Sequence, residues 1–167
     1  MHLDGTQFSA FTDGLDFPMY VVTVARGAEA ADRSGCLVGF GSQVSLDPPL
    51  FLVCLSKKNH THALAVEAEL LAVHLLAEEE RELAELFGGE TRDDGVDKFE
   101  RCSWSPGPGG VPVLEECPRV LVGRVGQRVD LGDHTGFVLD PVSLVVRDGQ
   151  PGLTFHDVED IDPGHPA

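Results

Sequence analysis

The sequence predicts one mainly β domain, a closed antiparallel barrel carrying two or three short helices. Two observations carry that expectation. Short β-branched and apolar runs recur along the chain, each bounded by Gly, Pro, Asp or Ser, the pattern of a barrel or sandwich rather than of alternating strands and helices. No G-x-G-x-x-G joins a strand to a helix, so a Rossmann dinucleotide site is not supported. With 167 residues, 42% of them hydrophobic, the chain can bury a core without disulfides or metal.

Residues 1–14 are mixed and Gly-containing and read as an N-terminal arm. Tyr20 to Ala25 is β-rich and predicts a strand, followed by a polar turn from Arg26 to Ser34. Cys36 to Phe40 restarts a strand, and Leu50 to Leu55 makes a third after the breakers Pro48 and Pro49. Gly35, Gly39 and Gly41 thin the second strand, so that something flat can approach its backbone, or else mark a bulge. Thr61 to Glu69 has helical spacing, Leu70 to Leu76 reads as a buried strand, and Glu78 to Phe87 as an amphipathic helix ended by Gly88-Gly89. Thr91 to Gly95 is an acidic loop and Ser105 to Gly110 a Pro/Gly loop. Val120 to Val129 and Phe137 to Val146 read as strands joined by Asp130 to His134, and residues 157–167 as an acidic tail, a surface strap or frayed end, leaving a domain over residues 15–156.

Twelve basic against 28 acidic residues give a net charge of −16, which argues against nucleic acid and anionic membranes. No apolar run approaches the roughly 20 residues of a membrane span and no signal pattern opens the chain, so the cytoplasm is the expected compartment. The cysteines Cys36, Cys54, Cys102 and Cys117 form no C-x-x-C pair, and His60, His62 and His74 lack a carboxylate or thiol motif beside them, so no metal site is expected. His74 reads as a satisfied core or interface histidine, Trp104 as a core or interface residue. No G-x-S-x-G suggests acyl transfer.

The candidate site lies in one stretch. Ser42, Gln43, Val44 and Ser45 offer hydroxyl, amide and backbone groups near a turn. After the strand Leu50–Leu55 comes Ser56-Lys57-Lys58-Asn59-His60-Thr61-His62, the only adjacent lysine pair, in a window from Pro48 to Val66 without a single Asp or Glu. Such a local reversal of charge on an acidic protein suits an anionic ligand, and the whole block suits a planar cofactor that carries a phosphate.

These residues resemble the flavin reductase family, whose members read S-x-V-S-x-x-P-P, a hydrophobic strand, then a polar segment ending in T-H. Ser42, Val44, Ser45, Pro48, Pro49 and Thr61-His62 fit, and Asp97-Lys98-Phe99, Gly109-Gly110-Val111-Pro112 and Gly132-Asp133-His134 follow in the family's order. The resemblance implies an FMN-binding split β-barrel with Greek-key connections, and an NAD(P)H-dependent flavin reductase working on FMN, with FAD as the other flavin. It implies that Cys36, Leu37 and Val38 with Ser42, Gln43, Val44 and Ser45 line the ring and ribityl chain. Ser56, Lys57, Asn59 and Thr61 would hold the phosphate, Lys98 and Phe99 would supply a cation and a ring wall, and His134 would stand beside the incoming nicotinamide. A homodimer and a partner monooxygenase are further implications. A flavin carrier without reductase activity, or a flavin enzyme with its own organic substrate, are the alternatives. The family's aromatic and basic C-terminal strand is replaced here by Leu153 to Val158, in which Phe155 and His156 could cover the ring.

Overall fold

The computed structural model describes residues 3–89, 97–147, 149 and 151–163. Among the described residues, nine strands and four α-helices follow in order: α1 Gly5–Thr12, β1 Tyr20–Ala25, β2 Arg33–Val38, β3 Gly41–Leu46, β4 Pro49–Ser56, α2 His60–Ala65, β5 Leu70–Leu75, α3 Arg81–Gly89, β6 Trp104–Pro106, β7 Pro112–Leu114, β8 Arg119–Leu131, β9 His134–Val146 and α4 Phe155–Val158. Seven strands form one antiparallel sheet in the order β2-β1-β5-β8-β9-β4-β3, and β2 meets β4 to close it. The architecture is the expected mainly β split barrel. β6 and β7 make a separate small sheet that lies against β1 and β5.

Alternation along the strands separates two cores. Tyr20, Val22 and Val24 of β1 point into the barrel with Val38, Val53, Leu55, Leu71, Val73 and Phe137. Val21 and Ala72 point the other way, into a layer formed with Leu83, Ala84 and Phe87 of α3 and with Phe99, Val111 and Leu114. β1 is therefore buried on both faces, which explains why its sequence reads as continuous apolar residues rather than as an alternation. His74 sits in the outer layer, fully buried. Its Nδ1–H donates to the Val21 carbonyl at 2.9 Å, and its Nε2 accepts the Leu114 N–H at 3.0 Å. This is the satisfied core histidine that the sequence suggests. Trp104 stacks edge-on to Phe99 at 5.7 Å and lies 4.7 Å below the Arg33 guanidinium.

Several boundaries differ from the expectation. Ser42 to Ser45 are not a turn but lie within strand β3, where a register shift between Gln43 and Ser45 against β4 marks a bulge. The tight turn falls later, at Asp47-Pro48, and Pro49 opens β4 at a position where proline's missing N–H is tolerated. β2 begins at Arg33 inside the expected polar turn and stops at Val38. α2 covers only His60–Ala65, with Asn59 as its N-cap accepting the Thr61 N–H at 2.9 Å. Residues 78–80 form a 3-10 turn ahead of α3. β8 and β9 are longer than expected, running to a two-residue turn at Gly132-Asp133. The arm contains a helix with an Asp4–Gln7 capping box. The tail is not merely frayed: Val158 is buried, and Ile161 packs on the outer core. The acidic loop expected over residues 91–95 lies outside the described residues.

Candidate active site

A cavity of about 410 Å³ opens between β2, the β4–α2 turn, the tip of the β8–β9 hairpin and the C-terminal segment. One wall is the backbone and side chains of Cys36, Leu37 and Val38, continued by Gly39 and Phe40. Ser56, Asn59 and His134 contribute polar groups at one end, and Phe155, Val158, Glu159 and Ile161 close the other.

Four rings cross this space in sequence. His134 packs on Phe40 at 5.3 Å, Phe40 on Phe17 at 6.1 Å, and Phe17 on Phe155 at 4.9 Å in a stacked pair. Gly39 permits that arrangement, because a Cβ there would stand 2.6 Å from Cε2 of Phe17. Gly88 does the same against Leu37, where a Cβ would come within 2.7 Å of Cδ2. A mostly apolar cavity walled by stacked rings, with a few polar groups on its rim, is the form of a site for a planar ligand.

His134 follows the turn Gly132-Asp133. Gly132 has φ +82°, and among the described residues no non-glycine has positive φ, the combination of a type II′ hairpin turn. The Asp133 carboxylate lies 2.7 Å from His134 Nδ1. An ionised carboxylate only accepts, so Nδ1 carries the proton, and Nε2 has no partner among the described residues. That hydrogen bond from His134 and its charge hold the Asp133 carboxyl below the ordinary range. Behind it, His62 Nε2 and Thr135 Oγ1 are 2.8 Å apart. Burial, then the nearby Lys57 and His134 charges, push the His62 pKa down.

The other expected site residues are distributed. Ser42, Gln43, Val44 and Ser45 do not line the cavity. The Ser42 hydroxyl donates to the Gln43 carbonyl at 3.0 Å, and the Gln43 amide to the Ser45 carbonyl at 3.1 Å, so both are turned to their own strand. Thr61 is buried, with its hydroxyl 2.8 Å from that of Ser34 and hydrogen-bonded to the Cys36 thiol. It braces β2 from behind. Lys98 donates to the carbonyls of Phe87 at 3.0 Å and Gly35 at 3.4 Å, tying α3 to β2, while Phe99 is a core ring against Phe87 and Trp104. Lys57 is held by the hairpin tip, its ammonium 2.7 Å from the Asp130 carboxylate.

Phe17, Phe40, Cys54 and Phe87 reach the cavity unforeseen. The signal for Phe40 was present, as a large aromatic between two glycines that remains 56% exposed. Burial raises the Cys36 pKa to about 11, against the Thr61 hydrogen bond, and raises that of Cys54 as well. Both thiols are neutral, and neither is an activated nucleophile. Among the described residues, Glu159 is the one carboxylate that lines the cavity, and no lysine or arginine lines it. With a single imidazole and no nucleophile, redox chemistry here has to come from a bound group.

The family model of the flavin reductase like domain matches residues 13–160. The chain belongs to the flavin reductase-like family. A relative from Enterobacter cloacae, the FMN reductase (NADH) RutF, is 32% identical over 127 residues, covering 76% of each chain. Among solved structures, the Streptomyces globisporus NADH:FAD oxidoreductase SgcE6 superposes with a TM-score of 0.79 at 25% identity, over 92% of this chain and 91% of its own. BorF, the flavin reductase component of a bacterial two-component tryptophan halogenase, superposes at 0.77 and 25%, over 92% of this chain and 94% of its own. The family match runs to residue 160, across α4.

Proposed function

We propose that this flavin reductase-like protein uses NADH to reduce FMN held in the cavity, and that the ring run His134–Phe40–Phe17–Phe155 is the observation that carries this reading. The residues present fit a flavin. Cys36–Val38 of β2 and the residue after it line the cavity, Gly39 leaves room no side chain could share with Phe17, and Ser56, Asn59 and His134 bring uncharged polar groups to the wall, away from the Glu159 carboxylate. Bound there, a flavin supplies a ring that accepts a hydride equivalent from a reduced nicotinamide. Cys36, Leu37 and Val38 hold the ring by backbone and apolar contact, Ser56 and Asn59 receive the phosphate end at the β4–α2 turn, and Phe155 shields the ring from water. His134 stands where its Nε2 can orient the nicotinamide carboxamide, a positioning task that hydride transfer rewards through close, stacked geometry. FAD would use the same wall, with its adenylate outside.

The assembly belongs to the same proposal. Val44, Leu46, Val129, Leu131, Val142, Leu144 and Val146 form exposed apolar positions on β3, β8 and β9, more than a monomer usually presents together. A homodimer would cover them, and size-exclusion chromatography with light scattering would read twice the chain mass. A monooxygenase-type partner taking the reduced flavin is supported by BorF, which is the reductase component of a two-component tryptophan halogenase. Four free cysteines and a need for NADH suit the cytoplasm, and no helix among the described residues is long and apolar enough to cross a membrane.

The test is anaerobic absorbance. Protein loaded with FMN and freed of excess loses its oxidised flavin band within seconds of adding NADH. Retained flavin that neither NADH nor NADPH bleaches would overturn the reductase and favour a carrier. Retained flavin bleached only by another reductant would favour an enzyme with its own substrate.

A further inference from the structure

The β8–β9 hairpin carries His134 at its tip, where little else supports it. From Arg128 to Asp133 every residue is exposed, and β4 pairs with β9 only as far as Ser56 opposite His134. An arm of this kind opens easily, because exposed backbone hydrogen bonds and few apolar contacts hold it. Lys57, the residue after that last pair, supplies what is missing. Its N–H donates to the Asp133 carbonyl at 2.9 Å. Its ammonium donates to the Asp130 carboxylate at 2.7 Å and to the Gly132 carbonyl. Asp130 in turn accepts the Gly132 N–H at 3.3 Å. Three of the four residues from Asp130 to Asp133 are therefore fastened to one lysine, on the residue pair that faces His134.

We propose that Lys57 is a positioning residue for His134: it latches the β8–β9 turn to the end of β4, so that the imidazole stays at the cavity wall, and its charge is committed to that latch rather than to a ligand phosphate. The inference rests on the reductase reading of the cavity. It also reassigns the more conspicuous lysine of the cationic window. The pair with Asp130 is exposed and would be weak alone, but it acts together with two main-chain contacts. The lysine stem ties the turn to the end of β4, beside the β4–β9 pairing and the His62–Thr135 hydrogen bond.

The experiment compares wild type with Lys57→Met, Lys57→Arg, His134→Ala and the double variant Lys57→Met/His134→Ala. Lys57→Met should lower kcat/KM for NADH about tenfold, the scale of a displaced positioning group. The Kd values for FMN and riboflavin should change alike and by less than about twofold, since no phosphate contact is lost. Lys57→Arg should restore most of the activity, and the double variant should be no slower than His134→Ala, because the latch acts through that imidazole. Amide exchange at Gly132 to Thr135 should quicken in Lys57→Met. Selective loss of FMN over riboflavin would overturn the latch in favour of a phosphate contact, and additive losses in the double variant would overturn its dependence on His134. If wild type oxidises neither NADH nor NADPH, the reductase reading fails separately, and unchanged exchange at the turn in Lys57→Met would then overturn the latch on its own.

Discussion

Two histidines show how placement sets the use of one side chain. His134 is hydrogen-bonded through Nδ1 to Asp133 and lines the cavity, so His134→Ala should cut kcat/KM for NADH about tenfold while leaving the FMN Kd nearly unchanged, as stopped-flow reduction and fluorescence titration would show. His74 is fully buried, and desolvation pushes its pKa from 6.5 down to about 4. Between those values the unfolded chain takes up a proton that the fold refuses. This contribution to stability is complete above pH 6.5 and is lost as pH falls toward 4, on the order of 1 kcal/mol per pH unit. Urea midpoints measured at pH 7 and pH 5 should drop accordingly in wild type. The drop should be smaller in His74→Gln, which can still donate and accept but does not titrate. Lys57 is the residue whose type was legible and whose use was not: a cation was expected to meet an anion, but the nearest one is Asp130, 73 positions along the chain.

At the scale of elements, the hairpin turn is the sensitive point. Gly132 at φ +82° occupies a region that costs other residues about 1–2 kcal/mol. Gly132→Ala should destabilise the protein by about 1 kcal/mol in urea denaturation and slow NADH oxidation through His134. Asn at the same position should do so less, since it tolerates positive φ better. β3 shows why short polar segments mislead. Ser42 to Ser45 have the composition of a turn, yet Ser42 and Gln43 pair with Leu52 and Phe51 of β4, and Ser45 with Leu50 once a bulge absorbs one residue. Their exposure along an edge is what permits polar side chains there. The C-terminal segment shows the opposite case. Its acids from Asp157 onward suggested a surface strap or frayed end, but Val158 is buried in the outer core, and Phe155 ahead of it lines the cavity.

Across the whole molecule, charge and cavity point to one preference. The chain carries a net −16, and the cavity has Glu159 at its C-terminal end with no lysine or arginine among its described lining residues. A nucleotide with an additional 2′-phosphate meets repulsion and no countercharge. NADH should therefore exceed NADPH in kcat/KM by about tenfold at low salt, with the gap narrowing as ionic strength screens the field. Equal use of both nucleotides at low salt would remove this electrostatic selection. The two-layer core explains how a small barrel holds such a slot open. β1 and β5 are packed from both sides, and α3 braces the outside of β2 through Phe87 and the Lys98 contacts.

What the sequence determined by itself was local. β-rich runs between breakers specified most of the strands, glycines marked where a wall comes close to a ring, and ordered short motifs identified the family. Residues adjacent in sequence to the site, Cys36 to Val38, Ser56, Asn59 and His134, were legible because strand ends and turns place their neighbours predictably. The tertiary structure alone decided which rings meet. Phe17, Phe40, His134 and Phe155 are separated along the chain by as many as 138 positions, and only barrel closure and the return of the C-terminal segment bring them together. It also decided that Thr61 and Lys98 support β2 from behind and that Lys57 turns to the hairpin. Partners of that kind depend on strand register and on competition among nearby charges, neither of which has a period or a motif in the chain.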